Sequence, residues 1–593
     1  MIQAVVLIHG IGEQKPMDTV RGFVEAVLPP AEDGTEQYFS KPDPLSESFE
    51  LRRLQAVGRN KIHFFEYYWA YQTDGTTVRH VTQWLIQLLL RRPRNVPPGL
   101  RTVWGMSWFL LLALVIAAAL GLADKALQFY ELGRSYWWVS LGLVLLLGLL
   151  QGFLIHYVGD AARYLSPSPQ NIALRQRIRS EGVNLLRRLH ESGKYDRIVI
   201  VGHSLGSVIG YDILTALWQK HNENYDFKAR EDLLDSLMAA NRRPQPILRD
   251  ALSTLGETLR NLPNNVAGTT LHRTLLQAFR TAQHLGFKEQ CMWGNTWRIT
   301  DFITIGSPLA HAMMLLARNG NEFAARKRQR ELATCPPIVD SGRYAYATDE
   351  RVVTAAGRTF SPFVLHHAAC FGVTQWTNLY FPAHAGFFGD VVGGPLADVF
   401  GAGIKDVRVT SKSRWRFTLA AHTSYWNPQA SQSERSEDQA HEQFALDELK
   451  QALRFDRARD FKAHISVADE DDRDELVKLN KDITAHLLEG AVAKESFAGI
   501  LADQLQYYRS GEQILGKKGF IEHLDEHKLA GMPTHEGMEI TFMGRLALVN
   551  VTMEFKSADA VVTRTSDIRI FARANDSWLL ETWCSNVQRS SKA

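Results

Sequence analysis

The chain has 593 residues, of which 45% are hydrophobic and 22% charged; these are the proportions of an ordinary globular protein and exclude disorder, collagen-like repeats and a disulfide scaffold. A net charge of +3 gives no sign of a nucleic-acid partner. Mean hydropathy of −0.19 excludes a polytopic membrane protein, yet an average over the whole chain can hide a few apolar spans.

The first predicted element is a strand over residues 2–8 (IQAVVLI), followed by His9-Gly10-Ile11-Gly12. A second apolar strand is predicted over 61–69 (KIHFFEYYW). Residues 102–123 and 135–159 carry no charged side chain. Each is long enough for a helix across a hydrocarbon core, which needs about 20 residues. Trp104, Trp108, Tyr136, Trp137, Trp138 and Tyr157 sit near their ends, where interfacial aromatics belong. Arginines flank the pair (Arg91, Arg92, Arg94 and Arg101 before; Arg163, Arg175, Arg177 and Arg179 after). The expectation is therefore a two-span hairpin in the cytoplasmic (inner) membrane, with the globular domains facing the cytoplasm.

Beyond the hairpin a helix is predicted over 169–192, then a buried strand at 197–201 that runs into Gly202-His203-Ser204-Leu205-Gly206. The following SVIGYDILTALW has helical spacing. Strand, Gly-x-Ser-x-Gly, helix is the context of a nucleophile elbow: the glycines allow the sharp turn, and the serine is held strained at the sheet edge. About eighty mostly helical residues, 218–297, follow as a lid over the site or as peripheral padding. Further strands are predicted at 298–305, 374–381 and 414–421, with Asp390 after the second of these and His422 after the third. Alternation with helices predicts an α/β architecture with a doubly wound, mostly parallel sheet and its site at the C-terminal strand ends.

The GHSLGS elbow and its flanks resemble the α/β-hydrolase superfamily, most closely the lipase and esterase branch. The resemblance spans roughly residues 1–430, although its motifs occupy short windows. It implies a catalytic set of Ser204, Asp390 and His422 in the order Ser, Asp, His. It also implies an oxyanion hole from the backbone N–H of Leu205 and of Ile11 or Gly12. Asp398 is the nearest competitor for the acid. Asp301 begins its strand and should lie at the wrong end. His384 precedes Asp390 and breaks the order.

Residues 428–443 are polar and read as a linker, followed by a helix; 428–465 form the connection to a C-terminal domain over 466–593. Helical spacing continues through ITAHLLEGAVAKESFAGILADQLQYY and GKKGFIEHLDEH. Period-two strands follow: MEITFMGRLALVNVTMEF, DAVVTRTSDIRIFAR and SWLLETWCSNVQ. This order of elements and the closing DIRIFARANDSWLLETW resemble the NTF2-like or SnoaL-like fold, an α+β cone that often dimerises. The domain organisation expected is a hydrolase domain in two parts, 1–100 and 160–427, interrupted by a transmembrane hairpin at 101–159.

Four separated cysteines (Cys291, Cys335, Cys370 and Cys584) form no CxxC pair, which fits a reducing compartment. With no GxxxxGK[ST] or HExxH, neither metal nor cofactor is expected. No basic region precedes the first apolar run, so no secretory signal is expected. The functional expectation is a membrane-anchored serine hydrolase cleaving carboxylic esters. A lipid ester is favoured because both hairpin stems would join the sheet on its active-site side. The expected partners are a lipid bilayer, a lipid or ester substrate, and a second copy through the C-terminal domain. Two alternatives stand beside it: an idle hydrolase fold acting as a membrane scaffold, and an acyltransferase using the same triad.

Overall fold

The computed structural model describes residues 2–589 apart from the stretches 74–85, 113–163, 223–249, 413–418, 428–442 and 456–469 and shorter gaps, among them 12–14 and 384–388. Two units separate by their internal contacts. The first comprises Met1–Asn224, Thr296–Ile338 and His367–Lys462; the second comprises Tyr225–Asn295, Val339–His366 and Ala463–Ala593.

The first unit is built on one large sheet. Its strands are β1 (Ile2–Ile8), β2 (Tyr38–Pro42), β3 (Arg52–Ala56), β4 (Lys61–Tyr67), β5 (Arg197–His203), β6 (Ile299–Ile305), β7 (Gln375–Tyr380) and β8 (Lys405–Arg408). Their spatial order is β8-β7-β6-β5-β1-β4-β3-β2. All neighbours from β8 to β4 pair in parallel, and β2 and β3 add an antiparallel edge. Every residue of β5 and β6 is buried, as expected where helices cover both faces of a parallel sheet. Alternation divides the side chains between two cores. Val199, Val201, Ile303 and Ile305 join Phe23, Val24 and the helix Ala445–Leu453 on one face. Phe302 points the other way and packs with Trp376 and Phe371. The helices α1 (Asp18–Val27), α2 (Pro169–Glu191) and α3 (Leu205–Asn222) complete the layers. The fold class of this unit is thus α/β with a mostly parallel sheet.

The second unit has its own sheet of five strands: Leu501–Arg509, His535–Met543, Leu546–Lys556, Val562–Ala574 and Ser577–Arg589. Helices Leu252–Asn261, Thr270–Met292 and Glu470–Glu489 belong to the same unit. Leu476, Ile483, Phe497, Tyr507, Phe520 and Trp583 contribute to its core.

Several expectations are corrected. Among the described residues no helix is long and apolar enough to cross a membrane. The placement in the cytoplasmic membrane with two spans is therefore not sustained. Residues 135–159 lie outside the described residues, and of 102–123 only scattered positions up to Leu112 are described. An uncharged run is necessary for a span, but a span also needs a continuous helix of about 20 residues. The predicted last strand, 414–421, is not a strand where it is described. Leu419–Thr423 is a 3-10 helix, and the edge strand is β8, at Lys405–Arg408 earlier in the chain. β8 (KDVR) is short, with three of its four residues charged, so it carries no apolar signal. A helix follows the predicted linker at Ala445–Leu453, and its Ala445, Leu446, Leu449 and Leu453 are buried in the first unit's core. Residues 225–295 of the expected insertion group with the second unit. Finally, Leu501–Arg509 is a strand rather than the end of a helical run. A register shift between Leu501 and Gln506 breaks its alternation, so its apolar residues fall at helix-like spacings.

Candidate active site

Three parallel strands deliver the site. Gly202 at the end of β5 lies beside Ile8 of β1 and Thr304 of β6, so the loops leaving β1, β5 and β6 emerge together. The chain turns at Ser204, whose φ of 52° lies in the left-handed region. A non-glycine residue there is strained and is held by its surroundings. The Ser204 N–H donates to Ile305 O at 2.9 Å, and α3 begins at the next residue. The turn is possible because residue 206 has no side chain: a Cβ there would sit 2.2 Å from Ile8 O and 2.4 Å from His9 O. Ser207 Oγ donates to Ser204 O at 2.6 Å, and Ser307 Oγ in turn lies 2.6 Å from Ser207 Oγ. These bonds tie the elbow to the loop after β6.

His422 Nε2 is 2.8 Å from Ser204 Oγ. Its Nδ1 is 3.0 Å from Asp390 Oδ1. Asp390 follows β7, and its side chain is fully buried, whereas the His422 side chain retains 16% of its exposure. Burial alone would raise the Asp390 carboxyl. The opposing effects of His422, the Tyr425 hydroxyl and the Gly393 N–H outweigh it and hold the group down at about 2. Val392 and Gly393 N–H groups both donate to Oδ1 at 2.9 Å. With Asp390 ionised and accepting only, His422 Nδ1 carries the proton, and Nε2 is left to accept from the Ser204 hydroxyl. The three sequence-predicted residues are thus brought into one continuous relay, although 218 positions of chain separate Ser204 from His422.

His203 braces His422. Its Nε2 lies 2.8 Å from His422 O, an N–H donating to a carbonyl. Burial lowers the His203 ring to about 3, so it stays neutral. The loop after β1 meets the serine from the other side: a Cβ on Gly10 would lie 2.9 Å from Ser204 Cβ. His9 fixes that loop. Its Nδ1 lies 2.8 Å from Gly10 O, its Nε2 accepts from Trp69 N–H at 3.3 Å, and the His9 and Trp69 rings stack at 5.1 Å. Ile11 is half-buried in this loop, and Gly12 lies outside the described residues. Leu205 is the first residue of α3, where backbone N–H groups have no intrahelical acceptor.

The competitors are elsewhere. Asp301 is buried at the far end of the sheet with Arg197 (2.7 Å) and Arg454. Asp398 lies on a short helix after β7 and takes no part in the relay. His384 lies outside the described residues. Sequence reasoning missed Tyr425, which donates to Asp390 Oδ2 at 2.7 Å and accepts from Phe381 N–H at 2.9 Å. Its only signal is its place in the segment that carries His422. Among the described residues no cluster of three His, Cys, Asp or Glu side chains could hold a metal ion.

No family model and no curated protein matches the chain. Solved structures similar to part of it include an NTF2-like protein of unknown function from Silicibacter pomeroyi (13% identity, 19% of this chain and 94% of that one, TM-score 0.16). Another is an NTF2-like protein from Cytophaga hutchinsonii (16% identity, 20% of this chain and 100% of that one, TM-score 0.17). A third is an NTF2-like protein with a cystatin-like fold from Novosphingobium aromaticivorans (16% identity, 20% of this chain and 84% of that one, TM-score 0.17). The likeness extends over about a fifth of the chain, at TM-scores too low to carry function across.

Proposed function

We propose that this protein is a serine hydrolase of carboxylic esters, with Ser204 as nucleophile, His422 as general base and acid, and Asp390 as the group that orients His422. The reading rests on one observation above all: the unbroken relay from Ser204 Oγ through the His422 ring to the buried Asp390 carboxylate, at 2.8 and 3.0 Å. The strained φ of Ser204 and the resemblance of GHSLGS to α/β-hydrolase elbows support it.

In this mechanism Ser204 Oγ attacks the ester carbonyl carbon as its proton passes to His422 Nε2. The imidazolium is stabilised by Asp390, which remains ionised. The carbonyl oxygen becomes an oxyanion near the start of α3 and the loop after β1. N–H donors from Leu205 and from that loop would lower the barrier by about 3 kcal/mol each. Collapse of the intermediate expels the alcohol, which takes the proton from His422. Water then repeats the sequence on the acyl-enzyme and releases the acid. The preference for lipid esters rested on the two membrane spans, and it is dropped with them.

A fluorophosphonate probe tests the reading directly. Labelling of the wild type that disappears in Ser204→Ala supports it. Folded wild type that fails to label would leave an idle scaffold as the better account. A panel of p-nitrophenyl esters of increasing chain length would then define the acyl group.

A further inference from the structure

A cavity of about 610 Å³ opens beside β4 and α2, within the range of small-molecule sites. It is lined by Glu50, Glu66, Glu181 and Arg188, with the rings of Tyr68 and Tyr71 among its walls. None of these residues belongs to the Ser204 relay. Three glutamates and one arginine thus line it, and the Arg188 guanidinium donates to Leu45 O at 2.7 Å. The centre of interest is Glu66, near the end of β4 and only 3% exposed. Its Oε2 accepts from Met17 N–H at 2.6 Å, at the start of α1. Its Oε1 is buried and has no hydrogen-bond partner among the described residues. One oxygen therefore caps the start of α1, and the other is left as a buried acceptor. Glu181 on the α2 wall accepts from Tyr71 O–H at 2.6 Å. The rings of Tyr68 and Tyr71 stack with centroids 6.1 Å apart. The carboxylates do not converge: among the described residues no three acidic, His or Cys groups lie close enough for a metal ion.

Spread negative charge, aromatic walls and an orphaned acceptor favour a guest with a donor-bearing positive end and an apolar body. We propose that this cavity binds a small organic cation, a primary ammonium on an aromatic or apolar frame, with Glu66 Oε1 receiving its N–H.

The test is isothermal titration of the full chain with benzylammonium, using benzyl alcohol as the uncharged analogue of the same shape. Benzylammonium is expected to bind one to one with a Kd of about 1 mM, a reasonable affinity for so small a guest. Benzyl alcohol should give no saturable heat. Glu66→Gln keeps an acceptor for Met17 N–H and should weaken the ammonium about tenfold or more. Should that variant fail to fold, Glu181→Gln on the α2 wall is expected to weaken binding in the same direction. Ser204→Ala should bind as the wild type does. The proposal is overturned by an absence of saturable binding in the wild type. It is equally overturned by unchanged affinity in folded Glu66→Gln, or in Glu181→Gln where that variant stands in for it, and by loss of binding in Ser204→Ala.

Discussion

The Tyr425 hydroxyl donates to Oδ2 of Asp390 at 2.7 Å, the oxygen that His422 leaves unused. The carboxylate is thereby held at both oxygens in a dry pocket, and its rotation is blocked. Tyr425→Phe removes this bond and also strips Phe381 N–H of its acceptor. A loss of about 1–3 kcal/mol in unfolding free energy is expected, read from denaturant midpoints. Probe labelling of Ser204 should slow but persist, because the His422 relay remains.

Asp390→Asn and Asp301→Asn should separate chemistry from stability. With an amide in place of the Asp390 carboxylate, the His422 tautomer is no longer enforced, and esterase turnover should fall roughly 10⁴-fold with the fold retained. Asp301 has no contact with the relay, but it neutralises the wholly buried Arg197. Its loss leaves that charge uncompensated, at a cost of about 3–5 kcal/mol. Turnover per folded molecule of Asp301→Asn should stay near that of the wild type. Parallel kinetics and urea melts of the two variants decide the matter.

Acid should destabilise the wild type through Asp390. Its folded value, about 2, lies below the unfolded value of about 3.9. The stabilisation is therefore full above about pH 3.9 and is lost as pH falls toward 2, with a span of about 2–3 kcal/mol. The difference in unfolding free energy between wild type and Asp390→Asn should shrink across that window. A difference that stays constant would refute the assignment.

Glu66 acts with the opposite sign. Burial holds its carboxyl up at about 7, with Asp18 adding to the rise while the Met17 N–H and Arg21 oppose it. The folded chain thus binds more protons here than the unfolded chain between about pH 4.3 and pH 7. Stability should fall as pH rises through that interval and level off above it. Glu66→Gln should flatten the slope, as measured by unfolding midpoints near pH 5 and pH 8.

Gly206→Ala should be far more damaging than its single methyl suggests. The new Cβ would meet two backbone carbonyls at 2.2 and 2.4 Å, and backbone cannot swing aside as a side chain can. A loss of about 3 kcal/mol or more is expected, together with loss of probe labelling. Gly210→Ala, one turn on, meets only side-chain atoms, the nearest of them Phe302 Cε2 at 3.0 Å, and should be milder.

How much of this is legible in the sequence depends on burial. The strands β1, β5 and β6 are wholly or almost wholly buried and read as largely apolar, β-branched runs, whereas β7 (QWTNLY) is buried but half polar and is carried by Trp376, Leu379 and Tyr380. β2 (YFSKP) and β3 (RRLQA) lie at the sheet edge, largely polar, and leave no trace. The sequence pattern predicts His422 just past a strand. It sits instead in a 3-10 turn, and its position in chain order locates it nonetheless. Asp390 is readable from its place after β7. The partners that fix it, Tyr425 and the N–H groups of Val392 and Gly393, depend on side-chain directions that no linear pattern encodes. The second unit is legible where its strands alternate strictly and illegible at Leu501–Arg509, where a register shift breaks the period.

The bond from His203 to the carbonyl of His422 spans 219 positions of chain. At synthesis rates of about 5–20 residues per second, the serine emerges from the ribosome roughly 10–40 seconds before its base. Throughout that interval the nascent chain carries the serine but no proton acceptor for it. The helix Ala445–Leu453, whose Leu453 carbonyl accepts from Arg197 at 2.9 Å, arrives later still and covers the core beneath the sheet. On the proposed mechanism, reactivity at Ser204 is in this sense a late event in the life of the polypeptide, withheld until His422 has been made.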